Sequence, residues 1–265
     1  MAWATGGITS GLPRMTRTVR YLVGINVAVY LLQFFADKAM LDMFGLSVST
    51  FWQPWRYVSF QFLHAGNWHI LLNMLGLWFL GSPLEEEWGQ RRFLAFYLTC
   101  GVFAGIAYVI ISALWPALQS IPIVGASGGI YGIVLACALL FPHMQIIFLF
   151  FPVPIRLAAI IIFGGMILTV VQGLAQHGMT GDAMSDVAHL GGAVAAAGWI
   201  WLLPRIYTLQ RMGFRRGKGN WERAVRRKQR EQEELDRILA KISRKGMASL
   251  NFLERRRLRE MSRKK

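Results

Sequence analysis

Six apolar runs dominate residues 20–204, and charge is confined to the stretches between them. They cover about Tyr21–Phe35, His69–Leu80 (with Gln61 as an earlier start), Phe93–Leu114, Ser127–Phe141, Leu157–Leu174 and Val187–Leu203. The pattern predicts an all-α membrane protein, a bundle of six transmembrane helices. A chain with 54% hydrophobic and 16% charged residues is too apolar for an ordinary soluble domain. Its charge is also segregated. Of 29 Lys and Arg and 14 Asp and Glu, 21 and 7 lie from Arg205 onward, which is +14 of the net +15. Three parts follow: a lead over 1–19, a six-helix domain over 20–204 and a basic tail over 205–265.

The basic residues orient the bundle. Arg14, Arg17 and Arg20 precede the first run, Arg91 and Arg92 the third, Arg156 the fifth, and the tail follows the sixth. With six crossings all fall on one face, cytoplasmic by the positive-inside bias, so both termini are inside. The loops at 37–60, 115–126 and 175–186 are then outside. The first is rich in aromatics, as suits an interface. Lys38 and Arg56 lie in it against the bias, and Arg56 needs a reason. The tail carries no nucleic-acid recognition motif, so its charge reads as a cytoplasmic address, with no nucleic-acid partner. No small-residue cleavage pattern follows the run from Tyr21, which therefore reads as a span and not a signal peptide. Cys100 and Cys137 sit inside apolar runs. No disulfide framework, Cys/His metal pattern or cofactor motif is implied.

Helix four is the anomaly. Fifteen residues, Ser127–Phe141, rise roughly 22 Å, short of the ~30 Å hydrocarbon core. If Pro142 ends the helix at the cytoplasmic surface, Ser127 starts below the outer one. The loop before it must then dip into the membrane, where non-helical backbone needs shielding by protein or a water-filled cavity. Four glycines, Gly125, Gly128, Gly129 and Gly132, surround the one hydroxyl. Alone they read equally as a tight helix–helix contact. At the N-terminus of a short central helix the serine instead has a donor-rich, electropositive setting.

Ionisable groups in spans are costly and default to functional hypotheses. His69 and Asn73 share a face of helix two, Ser127 and Tyr131 a face of helix four, and His189 lies one turn inside helix six. All fall toward the outer side. A serine becomes a nucleophile when a base takes its proton, and histidine has the suitable pKa. His69, Asn73 and the Ser127 N–H can donate to an oxyanion, each such donor being typically worth about 2.7–4 kcal/mol. Gly191 and Gly192 would let helices four and six approach. Asp186 stands three residues before His189, but its position in the polar loop argues against a third triad member.

Gly125-Ala126-Ser127-Gly128, His64…Gly66-Asn67…His69…Asn73, Ala188-His189-Leu190-Gly191-Gly192 and Trp55-Arg56 together resemble the rhomboid intramembrane serine proteases over about residues 20–204. The resemblance implies a Ser127–His189 dyad without an aspartate, His69 and Asn73 as oxyanion side chains, and Tyr131 packed against His189. Gly125 and Gly128 support the site, and Trp55-Arg56 is a structural motif of the first outer loop. Ala196 departs from the family pattern, in which glycine stands four residues after Gly192. The implied function is an endopeptidase cleaving transmembrane protein substrates near the outer face, with membrane lipid as surroundings. The segment from Glu234 to Ser243, with Gly246 and Ser249-Leu250, resembles a C-terminal helical module of some bacterial rhomboids, which points to a bacterial inner membrane.

A catalytically silent scaffold of the same fold is the alternative, though it would be expected to lose Ser127 or His189. A transporter would carry polar groups in both membrane halves and an internal repeat, and neither is found. There is no His-Glu-x-x-His, and the body aspartates lie in loops, which excludes the metallo- and aspartyl-type membrane proteases. His143 reads as interfacial, His177 as a loop residue and Glu85–Glu87 as a solvated acidic turn. In the tail, Asn220–Arg244 has helix-forming composition with a stripe of Leu235, Ile238, Leu239 and Ile242. Gly246 reads as a stop and Ser249–Ser262 as a second short helix, which gives a small helical hairpin or membrane-surface element; a partly disordered basic tail is the alternative reading.

Overall fold

The computed structural model describes residues 14–148, 151–176 and 178–201, and in the tail 237–238, 240–243, 246, 249, 251–252 and 254. His177, the end of helix six at 202–203 and most of the two tail helices lie outside the described residues. The chain divides into two compact units, Met1–Leu202 and Leu203–Lys265.

The first unit is helical. Its elements are α1 (Arg17–Phe44), α2 (Arg56–Ser59), α3 (Asn67–Gly76), a π-helical segment (Leu77–Gly81), α4 (Ser82–Trp88), α5 (Gln90–Ser112), α6 (Ser127–Leu140), a hairpin of β1 (Gln145–Phe148) and β2 (Phe151–Pro154), α7 (Ile155–Ala175), and α8 over 181–201. Among the described residues α1, α5 and α7 are each long and apolar enough to cross a membrane. The segments α3 to α4 run on as one irregular helix. The protein is a multi-pass integral membrane protein.

The centre is α6. Nine of its fourteen residues are buried, against five of twenty-one in α7, so α6 is encased by protein while α7 leaves most of its surface uncovered. It packs on α3, the π segment, α4, α5 and α7. The glycines make this possible. A methyl on Gly128 would lie 2.4 Å from Ala104 Cβ, one on Gly129 2.6 Å from the Tyr97 ring, and one on Gly132 2.6 Å from Cys100 Sγ, so three of them accommodate α5. The approach of α8 depends on Gly192, where a methyl would lie 2.2 Å from the Gly128 carbonyl oxygen.

Four expectations are corrected. The first helix does not end at Phe35. It bends at Ala36 (φ −145°, ψ 41°) and continues to Phe44. Beyond the apolar run, i,i+4 pairing holds it: Lys38 Nζ to Asp42 at 2.9 Å and Gln33 Nε2 to Asp37 at 2.8 Å. Gly81-Ser82-Pro83 does not stop the second helix. A proline removes one helical N–H and crowds the carbonyl four residues back. The π turn at Leu77–Gly81 widens the ladder where that occurs, and the helix continues to Trp88.

Glu85 is not solvated. It is buried and accepts from the backbone N–H groups of Thr18 (2.9 Å) and Val19 (3.0 Å) and from the Thr16 hydroxyl. A carboxylate thus caps the positive N-terminal end of α1 from another helix. Finally, Asp182, Ser185 and Asp186 are helical, not loop residues. Thr180 starts α8, its hydroxyl accepting from the Ala183 N–H at 3.2 Å and its carbonyl from the Met184 N–H at 3.0 Å. Ala183, Met184, Val187 and Ala188 then bury against Tyr108 and Leu118, which draws a polar sequence into a helix.

Arg56 has a structural role in its loop. Buried, it donates from Nη1 to the Gly45 carbonyl (2.6 Å), from Nη2 to the Asp42 carbonyl (2.7 Å) and from Nε to the Gln53 amide oxygen. It therefore places a cation on the carbonyls at the C-terminal end of α1.

In the second unit, residues 240–243 are helical, and Gly246 (φ +74°) closes that turn with its N–H on the Ile242 carbonyl. Asn251 and Glu254 cap each other's N–H groups at 2.8 and 2.9 Å, starting another helical turn, and Lys241 bridges to Glu254 at 2.7 Å.

Candidate active site

Local chain chemistry delivers Ser127 to a defined spot. The loop before it is tied to the outer connection by a two-way bridge between Leu46 and Ile123 and by the Gly125 N–H on the Phe60 carbonyl at 2.9 Å. These bonds satisfy backbone groups of an irregular segment. Gly125 has φ +126°, a conformation that suits glycine alone. A methyl there would also lie 2.7 Å from His69 Nε2. Ser127 follows as the first residue of α6. The opening N–H groups of a helix have no intrahelical acceptor, so they are free to donate and carry the positive end of the helix dipole.

His189 reaches Ser127 from α8, with Nε2 2.9 Å from Oγ. The Tyr131 ring lies against the imidazole, centroids 4.3 Å apart at 41°. The two residues are one turn apart on α6, so the helix that carries the serine also supports the histidine. Asp186 Oδ1 lies 3.5 Å from His189 Nδ1 on the other side of the ring.

His69 is set by its neighbours. The Ala65 N–H points at its Nδ1 at 3.4 Å, which leaves Nε2 to carry the proton beside Gly125. One turn further along α3, Asn73 is buried, and its amide nitrogen has no hydrogen-bond partner among the described residues. His64, in the outer connection, is packed edge-on to His69 (5.1 Å) and Tyr30 (6.4 Å). Gln33 of α1 clamps the His64 backbone in both directions, each bond 3.0 Å. Burial, then the nearby His69 charge, push the His64 imidazole down to about 4.

The structure therefore brings Ser127, His189 and Tyr131 together and sets His69 against Gly125, with Asn73 on the same helix as His69. Gly128 lies under this cluster, between α5 and α8. One polar residue beside the site, Gln33, was missed in the sequence. Gln33 carried a signal, a polar side chain inside an apolar run. Asp186 was considered as a third member and set aside because it was placed in the polar loop; it lies instead in the first turns of α8.

Fold and site together define a polytopic helical membrane protein with a serine–histidine pair at the buried N-terminus of its central helix. A rhomboid-domain model matches residues 51–206, and the chain belongs to the rhomboid family. A model of a family of unknown function (DUF6576) matches residues 222–264. The chain is similar to "Rhomboid protein 1, mitochondrial" of Saccharomyces cerevisiae, 30% identical over 217 residues, covering 76% of this chain and 57% of that one. It is also similar to "RHOMBOID-like protein 12, mitochondrial" of Arabidopsis thaliana, 30% identical over 195 residues (67% and 56%). With "Rhomboid protease GlpG" of Yersinia pestis it is 29% identical over 119 residues (39% and 43%). The chain thus spans between 43% and 57% of the length of these curated relatives.

Proposed function

We propose that this protein is an intramembrane serine endopeptidase that cleaves transmembrane protein substrates near the outer membrane face. The observation that carries the reading is the 2.9 Å contact between Ser127 Oγ and His189 Nε2 at the start of a short buried helix. In this reading Ser127 Oγ attacks the scissile carbonyl carbon as its proton passes to His189 Nε2. The carbonyl oxygen becomes an oxyanion held by the Ser127 N–H, His69 Nε2–H and Asn73 Nδ2. Collapse breaks the C–N bond, and His189 returns the proton to the leaving amine. A water then repeats the sequence on the acyl-enzyme, with His189 as base, and frees Ser127. Tyr131 holds the imidazole plane, and Gly125 and Gly128 keep the backbone close.

In the same proposal residues 20–204 form the protease domain and 205–265 a cytoplasmic helical accessory. Both termini lie in the cytoplasm of a bacterial cell, the domain sitting in the inner membrane. The one-sided arginines and the basic tail support this orientation. The mitochondrial names of two relatives make the organelle the competing address.

The test is cleavage of a model single-span substrate by the full chain in liposomes. Wild type is expected to cleave, with Ser127→Ala and His189→Ala reduced to background and a fluorophosphonate labelling Ser127. Full activity in either variant would overturn the reading, and an unlabelled, inactive wild type would favour a silent scaffold.

A further inference from the structure

We propose that Gln33 is a positioning residue for His69: it holds the peptide unit between His64 and Ala65 in the orientation that keeps the His69 proton on Nε2, facing the oxyanion. This role rests on the serine endopeptidase reading and deepens it by one residue on α1, a helix that bears none of the groups assigned to the reaction. Three observations carry it. First, Gln33 is buried, at 3% exposure, and grips the His64 backbone on both sides. Its Nε2 donates to the His64 carbonyl and its Oε1 accepts from the His64 N–H, each bond 3.0 Å. Second, the sense of the Gln33 amide is fixed, because Nε2 also donates to Asp37 Oδ1 at 2.8 Å. Turned over, the amide would set its oxygen against that carboxylate. Third, the N–H of Ala65 is directed at His69 Nδ1 at 3.4 Å.

The first and third observations concern one rigid group. The His64 carbonyl and the Ala65 N–H are the two ends of a single peptide unit. That unit is planar, and in the trans form found among the described residues its two ends point in opposite directions. With the carbonyl end held by Gln33, the plane cannot swing, and the N–H end stays on His69 Nδ1. A bond of 3.4 Å is long, and a long bond selects a tautomer only where its donor is held still. A ring nitrogen that accepts a hydrogen bond carries no proton, so the neutral imidazole bears its N–H on Nε2. Nε2 is the nitrogen beside Gly125, where a methyl would lie 2.7 Å from it and 3.5 Å from Ser127 Oγ. An oxyanion forming on the substrate of Ser127 needs a donor there; the other tautomer would offer it a lone pair. Released from Gln33, the peptide unit could turn its carbonyl toward Nδ1, which would then hold the proton. Gln33 acts only through His64, Ala65 and His69.

The experiment uses the full chain in liposomes as wild type, Gln33→Met, Gln33→Glu, His69→Ala, the double variant Gln33→Met/His69→Ala, and Ser127→Ala. Solid-state nitrogen NMR of histidine-labelled protein reads the tautomer of His69, and the His69→Ala spectrum marks which signals belong to it. The kcat and KM are measured on the model single-span substrate, and thermal unfolding checks the fold of each variant. Wild type is expected to show His69 protonated at Nε2 and bare at Nδ1. Gln33→Met, of similar length but without the amide, is expected to bring in the Nδ1–H form and to lower kcat about tenfold, with KM within about twofold. In the His69→Ala background the same substitution should change kcat by less than about twofold, since the residue it acts through is gone. Gln33→Glu sets a carboxylate against the His64 carbonyl and should behave like Gln33→Met; it decides alone should Gln33→Met not fold. A merely structural contact would lower melting temperature and slow both backgrounds alike, with the tautomer unchanged. A wild-type His69 protonated at Nδ1, or a Gln33→Met with the wild-type tautomer and kcat, overturns the Gln33 proposal while the serine–histidine pair stands. If wild type shows the expected tautomer but is no more active than Ser127→Ala, the endopeptidase reading fails and takes the catalytic role of Gln33 with it.

Discussion

A single methylene is enough to test how the site is held. Gly192 faces backbone: a methyl there would lie 2.2 Å from the Gly128 oxygen, 2.9 Å from the Gly128 carbonyl carbon and 3.3 Å from the Cys100 oxygen. Backbone cannot rotate away, so α8 must back off α6, carrying His189 with it. Gly192→Ala is expected to destabilise by about 1–3 kcal/mol and to cut cleavage by about 100-fold, the loss typical of a misplacement near 1 Å. Gly198, on the same helix with open space around its Cα, is the control, and Gly198→Ala should cleave like wild type. His64 makes a prediction about pH. It is neutral in the fold with its imidazole near 4, against 6.5 unperturbed. As pH falls below 6.5 the unfolded chain takes up this proton first, so stability is complete above 6.5, declines toward 4 and then levels off. The loss across that window is on the order of 3 kcal/mol. Denaturant unfolding in micelles at pH 7, 6 and 5 should show the decline, with a shallower slope in His64→Gln. An equal slope in both would remove His64 as its source.

At the scale of elements, two charged residues hold the ends of α1 from elsewhere in the chain. Glu85 caps its N-terminus and Arg56 its C-terminus. Among the described residues neither makes an ion pair; each is a charge on helix-end backbone groups, where the macrodipole favours it. Arg56→Ala leaves the Gly45 and Asp42 carbonyls without their donor. It should cost about 3 kcal/mol in chemical or thermal unfolding. Arg56→Lys should recover less than half, since a point ammonium cannot span the three acceptors that the guanidinium fork reaches. Equal melting of wild type and Arg56→Lys would show that charge alone suffices. These caps were only partly legible in sequence: Arg56 stood out as a cation needing a reason, but Glu85 looks like an ordinary surface charge, and neither shows its helix end until the chain brings it there from more than ten residues away. The π turn before Pro83 was hidden for a related reason. A proline reads as a helix stop by local rules, and only packing of the same helix on both sides keeps it running through.

At the scale of the whole molecule, the arrangement of charges predicts a sidedness that can be measured. Ser49 is exposed in the outer connection and His143 beyond the other end of α6. In intact cells, Ser49→Cys should react with a membrane-impermeant maleimide and His143→Cys only after permeabilisation; the reverse pattern would invert the proposed topology. The sequence by itself determined the class of fold, the apolar runs, their short fourth member and the residue types able to do acyl chemistry. Burial of apolar surface and the cost of charge in hydrocarbon act on every residue locally, so they leave a readable pattern. Distances did not leave one. That Ser127 meets His189 at 2.9 Å, that Asp186 is helical and lies behind it, and that Glu85 is a cap and not a solvated turn are outcomes of which helices touch. Those contacts depend on glycines whose missing side chains have meaning only when a second helix occupies the space. Only the tertiary structure decides that, because close packing couples residues far apart in the chain.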